Sequence, residues 1–433
     1  MAERQPTRLE HILDAPLAHT EKGMPPVPGI RIGDIADKDW NVLREDMTFP
    51  IALLRERELE HNAQWMAEFA SQQAVWLYPH GKTTMAPQLF DLQLRHGCRG
   101  ITAANTTHAE IYVQSGVRSV FLANQVTGKQ ALLRLRNLCN VDRGAEFFLI
   151  VDSEFNAREL ATTLADQIVA GQVKPLIELG AFGGRTGVRT ATEAVELAKL
   201  MAGMGVHARG LEAFEGIFNM NNPAQAEGQV RQLLDEMRET FRWLLADGLL
   251  ADGERYISAG GSWFYDLVAS YFSDIGVLDA PHVIVRAGCT ISHDSGLCKR
   301  AFSSMLGRGV LTPEEHLLPA LEVWAQVQSR PEPGRAFANA GKRDLSHDVE
   351  LPVVRWWYRP GLHAEPQPVE GLMEVTALND QHAYLELSED VDVQIGDMVG
   401  FGISHPCTTF DKWKYLYTVN AAYDVTGAIK TFF

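Results

Sequence analysis

The 433-residue sequence predicts a (β/α)8 barrel followed by a smaller all-β domain, and two patterns carry this prediction. Between residues 74 and 290, short apolar runs alternate with longer segments of helical periodicity. Beyond residue 320, strand-like runs are separated by Pro, Gly, Asn and Asp instead. The long alternation favours a closed barrel over an open doubly wound sheet, which more often has about five to seven strands.

Eight runs are interpreted as the barrel strands because each is short, apolar and rich in β-branched or aromatic residues. They cover residues 74–79, 98–104, 119–124, 146–152, 173–179, 207–214, 255–260 and 282–288. The stretches between them carry Pro, Thr or Asn near their starts and Gly near several ends, which are helix-boundary signals. The sequence therefore predicts an arm, or a strand donated to the β domain, over 1–45, a barrel over 46–300, and a β domain over 301–433.

The composition indicates a soluble globular protein. Hydrophobic residues make up 46% of the chain, enough for large cores, and the net charge of -16 without a basic block argues against a nucleic-acid partner. The N-terminus lacks the apolar region of a signal peptide and no run of about 18 apolar residues occurs, which predicts a cytoplasmic protein without a membrane partner. The cysteines are odd in number and irregularly spaced, which favours reduced thiols or metal ligands over disulfides. They are Cys98, Cys139, Cys289, Cys298 and Cys407.

Candidate chemistry follows two of the predicted strands, at the end where barrels of this kind hold their active sites. Lys82 follows the first run in "YPHGKTT", where lost hydration would make its amine nucleophilic, although a surface lysine also fits this position. In "SAGGSW", after the seventh run, Gly260 and Gly261 let the backbone approach an anion and Ser262 can donate a hydrogen bond. A lysine and a phosphate cradle together are what pyridoxal phosphate (PLP) requires.

A second motif lies near the C-terminus, where His405 and Cys407 flank a proline in "SHPCTTF". Proline favours extended geometry in the residue before it, so we expect the two side chains on the same side of the segment. Imidazole and thiolate suit a zinc ion. Two ligands do not complete a zinc site, so a structural role for this motif is the alternative.

Four separated stretches resemble, in the expected order, the D-serine dehydratase and D-threonine aldolase group of fold-type III PLP enzymes. They are "PHGKTTMAPQLFDLQLRHGCRGITAANTTHAEIYVQSGVRSVFLAN", "PEPGRAFANAGKRDLSHD", "LNDQHAYLEL" and "SHPCTTFDKW", and the resemblance spans roughly residues 45 to 425. It implies an alanine-racemase-type (TIM) barrel plus a β domain, with Lys82 carrying the cofactor and the Gly260 to Ser262 loop holding its phosphate.

The resemblance also implies a divalent metal held by His405 and Cys407. Cysteine at the second position is typical of the dehydratase branch, whereas the aldolase branch typically has Asp there. Thiolate and imidazole favour zinc over manganese or magnesium. The sequence is thus most similar to the zinc-dependent dehydratase branch.

Two further residues near the barrel mouth are candidates for contact with the cofactor. His80 either stacks near the cofactor or shapes the turn before Lys82. Phe214 stands where related enzymes often carry a tyrosine near the pyridine nitrogen. Because Phe214 cannot hydrogen-bond, Glu215 or another residue is left to tune the ring.

Two candidates are balanced between a functional and an ordinary role. Arg185, after the fifth run, either contacts the cofactor or substrate or forms a common salt bridge. His382, with Asp380, is expected to reach the metal or the substrate from the β domain, with a surface turn as the alternative.

The function that the resemblance implies is a zinc- and PLP-dependent dehydratase, or ammonia-lyase. Such an enzyme converts a D-3-hydroxy amino acid, such as D-serine or D-threonine, into a 2-oxo acid and ammonia, and Lys82 would take the α-proton. Retro-aldol cleavage by a metal-dependent D-threonine aldolase is the alternative. A non-catalytic PLP carrier would leave the β domain without a purpose, and a racemase would need a second base that the sequence does not reveal. The resemblance further implies a homodimer.

Overall fold

The chain begins with a short arm that packs on the C-terminal sheet of the computed structural model, which describes residues 8–218, 222–273, 281–309, 311 and 316–433. The arm contains α1 (Glu10–Leu13) and an antiparallel pair, β1 (Pro16–Leu17) and β2 (Ile30–Arg31). Its buried Ile35 and Val42 share an apolar cluster with residues of the last strands. The described part of the predicted arm therefore lies against the β domain.

The next strand, β3 (Ile51–Arg55), also belongs to the β domain, although it falls within the 46–300 range predicted for the barrel. It pairs antiparallel with residues 321–324 and parallel with residues 417–419. Residues 51–54 are all buried, as an apolar strand covered on both faces should be. The chain enters the barrel with α2 (Glu56–Gln72).

The barrel then alternates strand and helix, as the sequence predicts. Its elements are β4 (Trp76–Leu77), α3 (Pro87–Arg95), β5 (Ile101–Ala103), α4 (Thr106–Gln114), β6 (Ser119–Gln125), α5 (Lys129–Val141), β7 (Glu146–Val151), α6 (Glu154–Val169), β8 (Val173–Leu179), α7 (Ala191–Gly203), β9 (Gly210–Ala213), α8 (Pro223–Ala246), β10 (Tyr256–Ser258), α9 (Tyr265–Ser273), β11 (His282–Val285) and α10 (Leu297–Gly307). Each of the eight predicted runs contains one of the eight barrel strands or overlaps it.

The eight strands close into a parallel barrel. Their order is β4-β11-β10-β9-β8-β7-β6-β5, and every paired neighbour is parallel. A parallel bridge between His80 and Thr102 joins the two ends, and the Arg99 N–H donates to the Leu77 carbonyl at 2.9 Å. The predicted fold class is confirmed.

A layer of large side chains fills the barrel interior below the carboxyl ends of the strands. It comprises Tyr78, Phe121, Phe148, Ile150, Leu176, Tyr256 and Ile284. Because this layer is packed with rings and branched chains, the interior is a core and not a channel. A ligand can therefore enter only at the mouth above it.

The C-terminal domain is a largely antiparallel sheet with one short helix. Its elements are β12 (Leu321–Glu332), β13 (Arg335–Ala338), β14 (Val353–Tyr358), β15 (Gln367–Pro368), β16 (Met373–Leu378), β17 (Ala383–Leu387), β18 (Met398–Gly402), α11 (Cys407–Phe410), β19 (Tyr415–Val419) and β20 (Val425–Lys430). The strand order is β15-β14-β18-β12-β13-β17-β16, and β3 links β12 to β19 and β20. This all-β domain agrees with the strand pattern seen beyond residue 320.

The β domain docks on the barrel beside its mouth. Backbone hydrogen bonds run from Ser295 N–H to the Ile403 carbonyl at 2.9 Å and from Phe432 N–H to the Met85 carbonyl at 2.9 Å. Leu89 of α3 packs in the same apolar core as the β-domain strands. These contacts bring the end of β18 and helix α11 next to the turn that follows β4.

None of the helices in the described ranges has both the length and the apolar character needed to cross a membrane.

Candidate active site

Lys82 lies in a 3-10 turn, Gly81–Thr83, immediately after β4 at the barrel mouth. Its side chain is exposed, and its positive charge reaches two histidines. Burial, followed by this charge, lowers the pKa of His108 and holds the pKa of His80 well below its ordinary value. The buried Nδ1 of His80 has no hydrogen-bond partner. The predicted Lys82 and His80 are thus together, and the buried Nδ1 of His80 is available to a ligand.

A buried ion pair of Arg286 and Glu212 lies at the ends of β11 and β9. The Arg286 guanidinium sits 4.8 Å above the centre of the Phe121 ring, at the top of the interior layer. Burial raises the pKa of Glu212 to about 7, although the Arg286 charge acts in the opposite direction. Arg286 Nε and Nη1 and Glu212 Oε2 are buried without partners. Buried polar groups are normally satisfied, so these atoms mark a place for a polar ligand.

Sequence reasoning missed this ion pair. The available signal was a charged residue inside an otherwise apolar strand, Arg286 in "VIVRAG" and Glu212 in "GLEAF". Burying an isolated charge is costly, so two such residues in strands of one barrel, here separated by β10, indicate a pair or a ligand.

The glycine loop after β10 already holds an anionic group. The N–H groups of Gly260 and Gly261 donate to the two carboxylate oxygens of Glu215 at 3.0 and 2.5 Å. Gly260 has a φ of 88°, a conformation that favours glycine. Ser262 follows, half-buried, and lines a small cavity with Tyr265. The two glycine N–H groups of the loop are therefore both hydrogen-bonded to Glu215, the residue considered for tuning the ring.

Arg185 and Phe214 meet beside the glycine loop. The Arg185 guanidinium lies 4.7 Å from the centre of the Phe214 ring, and a Cβ on Gly261 would come within 3.2 Å of that ring. Within the described residues Arg185 forms no ion pair, so the salt-bridge alternative finds no partner there. The structure thus brings these two predicted residues to the predicted phosphate loop.

The C-terminal motif becomes helical at its proline. Pro406 has φ -59° and ψ -44°, and the short helix α11 starts directly after it at Cys407. Pro406 itself is helical because the fixed φ of proline suits the start of a helix, whereas the expectation of extended geometry concerned His405 before it. The His405 and Cys407 side chains nevertheless hydrogen-bond to each other, and this bond is the main cause that raises the pKa of His405 to about 9.

Asp348 orients the imidazole of His405. His405 Nδ1 lies 2.7 Å from Asp348 Oδ2, and the Thr408 hydroxyl donates to Asp348 Oδ1 at 2.6 Å. A carboxylate on one ring nitrogen leaves the other nitrogen, Nε2, for a metal, an arrangement typical of metal-binding histidines. Sequence reasoning missed Asp348 as a site residue, although it ends the quoted block "GKRDLSHD".

Cys407 connects the motif to the turn that carries Lys82. Its Sγ lies 3.5 Å from the Thr83 hydroxyl, one residue beyond Lys82. In the part of the chain that the structure describes, no three His, Cys, Asp or Glu side chains are arranged as a complete metal-binding group. His405 and Cys407 fit a divalent soft metal by ligand type and mutual contact.

His382 is not brought to the barrel mouth. It is exposed in the turn between β16 and β17, where its carbonyl accepts the Asn379 N–H at 2.9 Å. Asp380 is paired with Arg343 at 3.4 Å. No contact among the described residues links His382 to Lys82 or to the metal motif.

Known proteins share both the fold and the C-terminal domain. Residues 320–419 match the model of the putative serine dehydratase domain. A D-threonine aldolase from Arthrobacter sp is 23% identical over 84% of this chain and 86% of its own length. The C-terminal motif thus lies within a recognised domain type.

Solved structures cover nearly the whole chain. The D-threonine aldolase from Filomicrobium marinum superposes with a TM-score of 0.72 at 23% identity, covering 89% of this chain and 95% of that one. The D-threo-3-hydroxyaspartate dehydratase from Delftia sp. HT23 gives a TM-score of 0.67 at 20% identity, with 90% and 99% covered. At such identities these matches establish the fold and leave the substrate open.

The fold is that of alanine-racemase-like proteins, a barrel with a β-rich C-terminal domain, as the sequence predicts. Within that class, the similarity is to the D-serine dehydratase and D-threonine aldolase group. The predicted resemblance is confirmed, and so is the prediction that the chain is an enzyme.

Proposed function

We propose that the chain is a PLP-dependent, metal-assisted lyase that dehydrates a D-3-hydroxy amino acid to a 2-oxo acid and ammonia. Aldol cleavage of the same class of substrate is the second candidate. The relatives act on D-threonine or 3-hydroxyaspartate by their names, which supports a D-amino acid with a β-hydroxyl.

The observation that carries the proposal is the contact between the two halves of the site. Cys407 Sγ lies 3.5 Å from Thr83 Oγ1, and Thr83 is the residue after Lys82. An amine for the α-proton and a metal for the β-oxygen must reach adjacent carbons of one small substrate. The docking of the β domain supports this juxtaposition.

The residues at the mouth fit PLP. Lys82 would hold the cofactor through its amine, and the loop from Gly260 to Ser262 would hold its phosphate. Because Glu215 accepts from the two glycines in this structure, phosphate binding there requires Glu215 to release them. His80, Arg185 and Phe214 would line the ring, above the unpartnered atoms of Arg286 and Glu212. Bound PLP supplies an electron sink for charge that develops at the α-carbon.

Lys82 is the proposed base of the reaction. Its amine would accept the proton from the α-carbon of the substrate, since it is the lysine at the mouth next to His80 and His108. A metal on His405 and Cys407 would supply Lewis acidity toward the β-hydroxyl. Asp348 would keep Nε2 of His405 free for that metal. A catalytic role for His382 has no supporting contact within one chain and stays a prediction.

Different observations favour the two candidate reactions. Thiolate favours zinc over manganese or magnesium, and cysteine at this position supports the dehydratase outcome. The aldolase outcome is favoured by the curated relatives named as aldolases. Both reactions begin with the same bound substrate, so only the products distinguish them.

Product analysis tests the proposal directly. Purified protein loaded with PLP and zinc is incubated with D-serine, D-threonine and both 3-hydroxy-D-aspartate diastereomers, with the L-enantiomers as controls. We expect 2-oxo acid and ammonia from at least one D-substrate. Aldehyde or glyoxylate together with glycine would establish the aldolase candidate, and turnover of none of the D-substrates would contradict both.

A homodimer in the cytoplasm completes the proposal. Light scattering coupled to size-exclusion chromatography should give twice the 48.1 kDa mass of one chain. A monomeric mass with full activity would contradict the dimer.

A further inference from the structure

Three of the five cysteines, Cys298, Cys289 and Cys407, form a row that ends in the C-terminal motif. Cys289 Sγ lies 3.8 Å from Cys407 Sγ, and Cys289 also hydrogen-bonds to Cys298. Cys298 and Cys289 are buried, and Cys407 is half-buried. The sequence spacing of these residues is irregular, so only the fold reveals that they meet.

The backbone fixes Cys289 in this row. It lies in the loop between β11 and α10, where its carbonyl accepts the His293 N–H at 2.8 Å. Two residues further on, Ser295 N–H donates to the Ile403 carbonyl at the end of β18. One end of the loop is thus part of the barrel, and the other is tied to the segment that leads into His405 and Cys407.

The distance between the two sulfur atoms matches ligation of one metal ion. Zinc binds thiolate at about 2.3 Å in tetrahedral geometry, which places two thiolate ligands about 3.8 Å apart. A disulfide requires about 2.0 Å, so the observed 3.8 Å is too long for a bond and is right for a shared ion.

The number of ligands that a zinc site needs also favours an ion shared by the two cysteines. Catalytic zinc sites commonly have three protein ligands and keep one position open, and the motif alone supplies two. We propose that Cys289 is the third protein ligand, so that the metal is held by two cysteines and one histidine. This inference rests on the proposed metal site at His405 and Cys407.

The three donors are not arranged as a closed group in the part of the chain that the structure describes. Cys407 contacts Cys289 on one side and His405 on the other, and no direct contact between Cys289 and His405 occurs in the described structure. A bound ion would bring the side chains of Cys289 and His405, on either side of Cys407, closer together. The hydrogen bond from His405 Nδ1 to Asp348 leaves Nε2 facing away from the carboxylate.

A second thiolate changes what the site selects. Two thiolates neutralise a divalent ion and make the donor set softer, which favours zinc, cobalt or cadmium over manganese and magnesium. The open fourth position would still admit a substrate hydroxyl.

Cobalt absorption counts the thiolate ligands without reference to activity. Metal-free protein is titrated with Co²⁺, and the sulfur-to-cobalt charge-transfer band in the near ultraviolet is measured per bound ion. We expect about half of the wild-type intensity for Cys289→Ser and unchanged intensity for Cys298→Ser, the matched control one thiol further along the row. Competition with a chromophoric chelator should show zinc binding weakened more than about tenfold by Cys289→Ser alone.

X-ray absorption of the zinc-loaded wild-type protein keeps the test independent of how the variants fold. Two sulfur scatterers at about 2.3 Å would support the third ligand. One sulfur scatterer, with Cys289→Ser binding zinc as tightly as the wild type, would overturn it and leave the proposed function intact. A wild-type protein that binds neither cobalt nor zinc would overturn both this inference and the metal part of the proposed function.

Discussion

The candidate site has one half at the barrel mouth and one in the β domain, and the pKa of a carboxylate is shifted in opposite directions in the two. At the barrel mouth, the Glu212 side chain is only 2% exposed, and burial raises its pKa to about 7. In the β domain, the Asp348 side chain is 42% exposed. Burial acts against its ionisation too, but hydrogen bonds from Thr408 and His405 outweigh this effect and lower its pKa. The barrel half is therefore a buried charged layer, whereas the metal half is a hydrogen-bonded surface cluster.

This difference follows from how each half is built. Barrel residues project from strand ends whose positions the closed sheet fixes, so their burial is a property of the fold. The metal motif lies on a short helix and the loop before it, held against the barrel by a few hydrogen bonds. We expect changes in the barrel half to affect cofactor attachment and stability, and changes in the β-domain half to affect metal binding more than cofactor attachment.

Lys82→Ala should give the largest effect. It should abolish activity and cofactor attachment in the barrel half without changing the metal half. Loss of the proposed base alone costs about 10²- to 10⁴-fold in rate, and loss of covalent cofactor attachment adds to it. Borohydride reduction followed by peptide mapping should find the cofactor on Lys82 in the wild type and nowhere in the variant. Lys342→Ala, at an exposed β-domain position, should behave as wild type. An adduct on any other lysine would refute the assignment.

Cys407→Asp should break the metal half while leaving the barrel half intact. A hard carboxylate replaces a soft thiolate, so zinc affinity should fall by more than about 100-fold and manganese should become a better activator. The absorption band of the bound cofactor should remain, because Lys82 is untouched. Cys139→Ser is the control, since Cys139 is buried in the barrel's outer core. Full activity of metal-free wild-type protein, verified by elemental analysis, would contradict a catalytic metal.

The same division explains what could be predicted from the sequence. All eight barrel strands, Lys82 and the glycine loop follow from local patterns, because strand periodicity and strand-end position are readable along the chain. The pairing of Arg286 with Glu212 joins residues more than seventy positions apart, so local patterns do not contain it. Asp348 reaches the metal motif through the tertiary fold of the β domain, and Cys289 reaches it through domain docking. The helical conformation of Pro406 could not be predicted from the motif, because proline is compatible with a helix start as well as with a strand.

Asp348→Asn should weaken metal binding in the β-domain half without removing a metal ligand. Loss of the carboxylate that orients His405 should reduce zinc affinity about 10- to 100-fold. Competition titration with a chelator measures this change. Asp411→Asn, which alters a half-exposed carboxylate paired with its neighbour Lys412, is the matched control. Equal zinc affinity in both variants would show that Asp348 does not position the ligand.

Gly261→Val should test the phosphate loop in the barrel half. A side chain there would meet the Phe214 ring at 3.2 Å and the Glu215 carboxylate at 3.3 Å, which crowds the anion position. We expect PLP to dissociate about tenfold more readily, equivalent to about 1.4 kcal/mol of binding free energy. Gly334→Val is the control because a Cβ there meets no atom within 4 Å. Unchanged retention of PLP would remove the loop from the cofactor site.

The smallest predicted effect is a pH dependence of the free energy of unfolding. The carboxyl groups of the two halves should contribute to it with opposite sign. Glu212 has a folded-state pKa of about 7, above the ordinary 4.5, so the folded protein holds its proton more tightly than the unfolded chain does. Its contribution to stability is therefore fully present below pH 4.5 and is lost as the pH rises to about 7. The slope should not exceed about 1.4 kcal/mol of unfolding free energy for each pH unit.

Denaturant unfolding of the wild type and Glu212→Gln at several pH values between 4.5 and 7 measures this contribution. The variant should lose the decline, although it should be less stable throughout because Arg286 is left buried without its partner. Glu389→Gln, at an exposed position, controls for the change in net charge and should keep the wild-type trend. Asp348 acts in the other direction and at lower pH, because its lowered pKa gives stability that is fully present above pH 3.8 and is lost as the pH falls below that value. Asp348→Asn is therefore compared with the wild type in that acidic range. If Glu212→Gln kept the full decline, Glu212 would be ionised throughout this pH range, and the barrel mouth would hold a permanent ion pair rather than a carboxyl group that titrates near neutrality.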